Sequence, residues 1–107
     1  MAEEIRVTDN VDAARFEIFV DGALAGFADY RLRKDKIVIT HTEIDESYGG
    51  RGLGSKLAKA ALDASRDTGL AVAPACPFVA DYIRRHPEYL DLVADDYREA
   101  VEAGPGS

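Results

Sequence analysis

The stretch Ser47-Tyr48-Gly49-Gly50-Arg51-Gly52-Leu53-Gly54-Ser55-Lys56-Leu57 places four glycines within six positions. It follows the apolar, β-branched run Ile37-Val38-Ile39-Thr40 and leads into an amphipathic segment that begins at Leu53. Glycine adopts positive φ readily and leaves backbone N–H groups accessible. A helix that begins in such a loop directs its first, unpaired N–H groups and the positive end of its dipole at the loop. The stretch therefore predicts a strand, a glycine loop and a helix that together bind a phosphate-bearing ligand.

The spacing of the glycines excludes two common phosphate-binding loops. A nucleotide-triphosphatase loop ends in Gly-Lys-Ser/Thr, whereas Lys56 follows Ser55 here. In both alignments of the dinucleotide fingerprint Gly-x-Gly-x-x-Gly, the third glycine falls on another residue, Ser55 or Leu57. A chain of 107 residues also cannot hold two mononucleotide-binding halves. What remains is the pattern x-x-Gly-x-Gly before a helix, carried by Gly52-Leu53-Gly54.

The part of the chain before this loop predicts antiparallel strands. Arg15–Val20 alternates, with its apolar residues on one face, and reads as a strand. Asp21-Gly22 is a turn signal, and residues 24–32 continue as a second strand that closes a hairpin. Residues 37–44 predict the next strand, and residues 5–7 predict a shorter strand at the edge of the sheet.

The part after the loop predicts a helix, a strand and a second helix. Apolar residues recur at helical spacing over residues 53–64, which predicts a helix to about residue 67 with Gly69 as its C-cap. Residues 70–73 predict a short buried strand, parallel to its predecessor because a helix crosses between them. Pro77 suits the first position of the second helix, which Pro87 ends. The inward face of that helix is predicted to hold Phe78, Val79, Tyr82 and Ile83.

Three further segments, taken in this order and spacing with the glycine pattern, carry a resemblance to one known family. They are His41-Thr42-Glu43, Pro74-Ala75-Cys76-Pro77-Phe78-Val79 and Arg84-Arg85-His86-Pro87-Glu88-Tyr89. The pattern of Gly52 and Gly54 resembles the coenzyme A pyrophosphate loop of the GCN5-related N-acetyltransferases. The whole set is similar to the minimal single-domain branch of that superfamily, the branch of N-acetyltransferase domain-containing protein 1. The resemblance spans residues 5–93 and departs from the usual motif at Gly49, where an Arg or Gln is normal; Arg51 is a nearby cation.

This resemblance implies an α/β fold with a mixed sheet. Antiparallel N-terminal strands are followed by strand, helix, strand and helix. The early helices that usually lie between the first two strands are absent, since the segment between Val7 and Ala14 is too short for them. We expect an acetyltransferase-like domain over residues 1–94, and a weak helix with a flexible tail over residues 95–107. Because those early helices normally wall the acceptor site, we expect an open acceptor side.

The resemblance also implies acetyl-CoA as cofactor and a primary amine as acceptor, either a protein or peptide lysine or a small polyamine-like molecule. The backbone near Ile44 is expected to polarise the thioester carbonyl, and the loop is expected to hold the pyrophosphate. The predicted cofactor-binding residues are Ile44, Gly49, Gly50, Arg51, Gly52, Leu53, Gly54, Ser55, Arg84 and Arg85. A non-catalytic acyl-CoA-binding or protein-interaction module that keeps the loop is the alternative function.

His41 and Glu43 are the candidate bases that would take the proton of the acceptor. They alternate with Ile37 and Ile39, so the strand pattern predicts all four side chains on one face. The alternative is a half-buried histidine that donates to a carbonyl, with Glu43 solvated.

Cys76 is the candidate group on the sulfur side of the reaction. It precedes a helix that begins at a proline, and a helix N-terminus stabilises a thiolate. Cys76 would protonate the leaving thiolate, or accept the acetyl group itself in a two-step route; the alternative is a small buried plug. Tyr82 and Tyr89 are alternative acids. No metal is expected, because His41, Cys76, His86 and Glu43 show no tightly spaced ligand pair.

The composition limits the classes of partner. The net charge of −7 disfavours non-specific nucleic-acid binding and suits a cationic acceptor, although acidity also serves solubility alone. The N-terminal sequence lacks the features of a signal peptide, and no apolar run is long enough for a membrane helix. We therefore expect a cytoplasmic protein whose single cysteine forms no intrachain disulfide. The sequence leaves the oligomeric state open.

Overall fold

The computed structural model describes residues 4–50 and 52–103. Five strands form one sheet in the order of the chain. The first three pairings are antiparallel, and the last is parallel. This mixed α/β architecture is the predicted minimal acetyltransferase-like fold. The strands are β1 (Ile5–Asn10), β2 (Arg15–Val20), β3 (Ala23–Leu32), β4 (Lys36–Ile44) and β5 (Ala71–Pro74).

Three helices complete the described fold: α1 (Leu53–Thr68), α2 (Pro77–Arg85) and α3 (Asp95–Ala103). Short 3₁₀ turns cover Glu46–Tyr48 and Pro87–Leu92. α1 crosses from β4 to β5 and packs over β2, β3, β4 and β5. None of the helices in the described part is long and apolar enough to span a membrane.

The core lies between α1 and one face of the sheet. Its fully buried side chains come from the strands β2 to β5 and from α1, α2 and α3, because the apolar residues of the amphipathic elements lie mainly on one side. Ile18, Ile39, Leu57, Leu62 and Ile83 are all at 0% exposure. The opposite face of β1–β4 carries Arg15, Phe27, His41 and Glu43, and we call it the outer face.

The first two strands join without helices, as predicted. Only four residues separate β1 from β2, and Ala14 in this connection has φ 55°. The next connection is the predicted Asp21-Gly22 turn, with φ 49° and 86°. Two positive φ values are the signature of the tight turn that matches the twist of paired strands.

A bulge in β4 corrects the predicted orientation of His41 and Glu43. Asp29 pairs with His41 and Tyr30 with Ile39, so Thr40 is an extra residue on β4. An inserted residue shifts the alternation of the side chains that follow it. Ile37 and Ile39 therefore face the core, whereas His41 and Glu43 lie on the outer face and are exposed. The prediction that all four share one face was wrong.

A second correction concerns Phe78 in the first turn of α2. Val79, Tyr82 and Ile83 are buried as predicted, but Phe78 is 43% exposed. The ring lies beside the first turn of α1 instead of the core, so close that a Cβ on Gly54 would be 2.6 Å from its Cζ. A Cβ at position 54 would therefore force the Phe78 ring to shift.

Candidate functional site

A cleft opens beside the carboxyl half of β4. β5 pairs with Lys36 to Ile39 only, and the Cys76 N–H adds one hydrogen bond to the Ile39 carbonyl at 2.9 Å. β4 then continues to Ile44 without a partner from β5. The Asp45 N–H donates to the Ala25 carbonyl on the β3 side, so strand alternation directs the Ile44 N–H into the opening. We call this space the β4 cleft, bounded by residues 40–44 and the first turns of α1 and α2.

The glycine run joins the end of β4 to α1 at the mouth of this cleft. Gly50 and Gly52 have φ 77° and 73°, and a Cβ on either would meet nothing within 4 Å. These two glycines are thus needed for their backbone conformation, while the space around them is open. Gly49 is extended, and its N–H donates to the Glu46 carbonyl. Arg51, predicted to bind the pyrophosphate, lies outside the described residues.

The N-terminus of α1 has the properties of an anion site. The Lys56 N–H donates to the Gly52 carbonyl, so the preceding N–H groups of Leu53, Gly54 and Ser55 lie in the turn that has no intrahelical acceptors. The Gly52 cap contributes no side-chain hydrogen bond, and the first turn of this described helix holds no acidic residue. Backbone N–H groups and the helix dipole therefore favour a phosphate at this position.

Cys76 lies on the core side of the cleft. It is 4% exposed and occupies the N-cap position of α2. Its Sγ is 3.4 Å from Oγ1 of Thr42, which the bulge has turned to the core side of β4. The structure thus brings the predicted thiol to the same strand that carries His41 and Glu43, but on the opposite face.

His41 and Glu43 form a pair on the outer face. Nε2 of His41 is 3.5 Å from Oε2 of Glu43, and both side chains are more than half exposed. The His41 ring also lies 6.1 Å from the Phe27 ring on β3. An exposed His–Glu pair can exchange protons with solvent and with a ligand that approaches from this face.

Arg84 and Arg85 have their described polar contacts on α2 and α3. They lie in the last turn of α2, about 10 Å along the helix axis from its first turn. Both guanidinium groups bind Asp81, and that of Arg84 also donates to the Val101 carbonyl of α3. These contacts stabilise the end of α2 and its packing on α3.

The two candidate tyrosines lie between α1 and α2. The Tyr89 hydroxyl donates to Oδ1 of Asp63 at 2.7 Å, and the Tyr82 ring stacks on His86 at 4.0 Å. Burial raises the pKa of both phenols, and the Asp63 hydrogen bond raises that of Tyr89 further. Both hydroxyls therefore stay protonated at neutral pH. Among the described side chains, no group of three His, Cys, Asp or Glu residues could hold a metal ion.

Some residues of the site were not found from the sequence. Thr42 contacts Cys76 only because of the bulge. Leu24, Phe27 and Asp45 line one depression together with Glu43. Only Asp45 had a local signal, because an aspartate two positions before a serine is typical of a cap, and its carboxylate accepts from the Ser47 N–H.

Comparison with curated proteins finds similar sequences in several vertebrates. The chain is 32% identical over 62 residues to Protein NATD1 of Danio rerio, which covers 56% of each chain. It is 36% identical over 55 residues to Protein NATD1 of Homo sapiens, which covers 50% of this chain and 49% of the human one. The matches thus span about half the length of these relatives.

The family model described as GCN5-related N-acetyl-transferase matches residues 15–92. This range begins with β2 and ends with the 3₁₀ turn after α2, so it contains the β4 cleft, the glycine run and Cys76. The match covers more than half of the chain and includes the elements that form the site described above. The chain therefore belongs to the GCN5-related N-acetyltransferase family.

Proposed function

We propose that this protein is an acetyl-CoA-dependent N-acetyltransferase that transfers the acetyl group to a primary amine. The observation that carries the proposal is the β4 cleft, where an unpaired strand edge meets the N-termini of two helices. Such a cleft offers backbone N–H groups to a phosphate and to a carbonyl oxygen at once.

The residues around the cleft fit the cofactor. The open space around Gly50 and Gly52 leaves room for a pyrophosphate against the N–H groups of Leu53, Gly54 and Ser55. The edge of β4 would accommodate the extended arm of coenzyme A along residues 40–44, and the Ile44 N–H would donate to the thioester carbonyl oxygen. When bound, acetyl-CoA supplies an acetyl group activated as a thioester.

The protein's own groups would then move two protons on opposite sides of β4. His41 or Glu43 takes a proton from the acceptor ammonium on the outer face, which frees its lone pair to form the C–N bond. The Cys76 thiol, on the core side, gives its proton to the sulfur as the C–S bond breaks. The nitrogen loses its second proton to solvent as the amide forms, and solvent returns the base and Cys76 to their starting protonation states. Direct transfer needs only one attack, whereas an acetylated Cys76 would need a second attack at a side chain that is 4% exposed.

Cofactor binding is tested by thermal unfolding with and without acetyl-CoA. At a hundredfold excess over Kd, the ligand should stabilise the fold by about 2.7 kcal/mol and raise Tm. Gly52→Val should abolish this rise, because valine is strained at φ 73° and projects a branched side chain into the phosphate space.

The matched control is Gly22→Val, since Gly22 also has positive φ with nothing near its Cβ position but lies in the β2–β3 turn. It should lower Tm and keep the acetyl-CoA shift. An unchanged wild-type Tm in millimolar acetyl-CoA would refute the proposal. A Tm shift without coenzyme A release for any amine would instead favour the non-catalytic binding module.

A further inference from the structure

A small depression on the outer face lies next to the His41–Glu43 pair. It has a volume of about 250 Å³ and begins where Ala25 forms a bulge in β3. We call it the acidic pocket, and it is lined by Leu24, Ala25, Gly26, Phe27, Glu43 and Asp45. Its walls thus combine two apolar side chains with two carboxylates.

The Asp45 carboxylate keeps its negative charge at neutral pH. Oδ1 of Asp45 accepts hydrogen bonds from the N–H and the hydroxyl of Ser47, which lower the pKa of Asp45. The Glu43 carboxylate is exposed and lies beside the His41 ring. The nearby cation, Arg15, already has other partners. Its guanidinium stacks on Phe27 and binds Glu17 at 2.7 Å.

The position of the acidic pocket decides which part of a ligand it would bind. The pocket lies on the β3 side of β4, whereas the β4 cleft lies on the other side of that strand. Neighbouring strands are about 5 Å apart, so a cation in the pocket is displaced by about one strand from the thioester carbonyl. The pocket therefore suits a second charge of the acceptor, separate from the amine that reacts.

We propose that the acidic pocket selects acceptors with a second positive charge a few bonds from the reacting amine. Glu43 and Asp45 bind that charge, which leaves His41 as the base for the reacting amine. Leu24 and Phe27 contact the aliphatic stem. This inference rests on the proposed acetyl transfer and specifies its substrate class. The same chemistry occurs in a polyamine and in a peptide with adjacent basic residues, whereas the carboxylate of a free amino acid would be repelled.

The test compares acceptors that differ only in the second charge. Putrescine and butylamine share a four-carbon chain, and blocked Lys-Lys and Lys-Ala dipeptides form a second pair. At low ionic strength we expect kcat/KM to favour the doubly charged member by about fivefold, the upper range for exposed ion pairs. The pair with the larger ratio identifies the source, polyamine or peptide.

Asp45→Asn should reduce that ratio to about twofold or less, because it removes the charge while the amide oxygen still accepts from Ser47. Glu46→Gln is the matched control: it removes an exposed negative charge from the next residue, outside the pocket, and should keep the ratio. A wild-type ratio near one, or equal losses in both variants, would overturn the inference.

A binding measurement separates this inference from the proposed function. Putrescine added without acetyl-CoA should shift the NMR signals of the amides of residues 24–27 and 45, and should shift them less in Asp45→Asn. Such shifts without turnover of any amine would support the pocket and refute the acetyl transfer. Turnover of amines without these shifts and without a charge preference would refute the pocket alone.

Discussion

Cys76 lies where the hydrophobic core meets the β4 cleft. Its backbone N–H extends the pairing of β5 with β4, and its side chain reaches Thr42 on the unpaired half of the same strand. The residue is therefore held by β4 at two points, which fixes the position of its thiol. A fixed thiol suits proton transfer to a sulfur that arrives along this strand.

Replacement of Cys76 separates its chemical role from its packing. Cys76→Ala should lower kcat and leave the affinity for acetyl-CoA within about tenfold, because the phosphate contacts lie elsewhere. Cys76→Ser, which keeps a proton donor of similar size, should retain more activity than Cys76→Ala. Steady-state kinetics with coenzyme A release as the readout measures both.

The intact mass after incubation with acetyl-CoA and no acceptor distinguishes the two routes. We expect no added acetyl group, as direct transfer requires. An added acetyl group in the wild type that is absent from Cys76→Ala would establish the two-step route instead. Full activity of Cys76→Ala would leave the residue with a packing role alone.

At the scale of the elements, β1 is an edge strand that a side-chain contact with β3 holds in the sheet, in addition to its backbone hydrogen bonds to β2. The Tyr30 hydroxyl on β3 donates to Oδ1 of Asp9 on β1 at 2.6 Å, so it bridges over β2. Phe16 on β2 packs against the Tyr30 ring, with centroids 5.1 Å apart. Burial, followed by this hydrogen bond, raises the pKa of Tyr30 to about 12.

The raised pKa of Tyr30 predicts a loss of stability in alkali. A phenol that titrates near 12 in the folded state and near 10 in the unfolded state contributes stability that is complete below about pH 10. That contribution declines as the pH rises from 10 to 12. Urea unfolding at a series of pH values should show a gap between wild type and Tyr30→Phe that narrows over this range. A gap that stays constant to pH 12 would contradict the assignment.

The strands and helices were predicted well because the repeat of apolar residues in each extends over enough residues to be recognised. The alternation in Arg15–Val20 and the helical spacing after Leu53 both reflect one buried face, and the structure has both elements. The bulge at Thr40 was missed, because Thr40 and the three residues after it are polar and show no hydrophobic alternation that an extra residue could disturb. As a result, the prediction placed His41 and Glu43 near the end of β4, where the structure has them, but on the wrong face. Their roles stay predictions.

At the scale of the whole molecule, charge and topology favour the same kind of acceptor. The chain carries a net charge of −7, and the outer face opposite α1 presents the His41–Glu43 pair with more than half of each side chain exposed. An acidic protein attracts cations over a distance set by the ionic strength. The outer face therefore suits a large or multiply charged amine better than a small one that needs an enclosed pocket.

This arrangement predicts slow turnover of free amino acids and a clear dependence on salt. kcat/KM for a lysine peptide should exceed that for free lysine, and should fall as NaCl is raised, because screening weakens the attraction of the acceptor. The kcat at saturating acceptor should change less. Initial rates with coenzyme A release as the readout would measure this, and a high kcat/KM for a free amino acid would contradict it.

The unpaired half of β4 also has a consequence for hydrogen exchange. The four amides of residues 41–44 are consecutive, but the alternation that directs the Ile44 N–H into the cleft gives Thr42 the same direction and points those of His41 and Glu43 at β3. In the free protein the amides of Thr42 and Ile44 should exchange with solvent deuterium early, and those of His41 and Glu43 late. Acetyl-CoA should slow only the early pair, so a ligand in this cleft would be recorded by every second amide of a single strand.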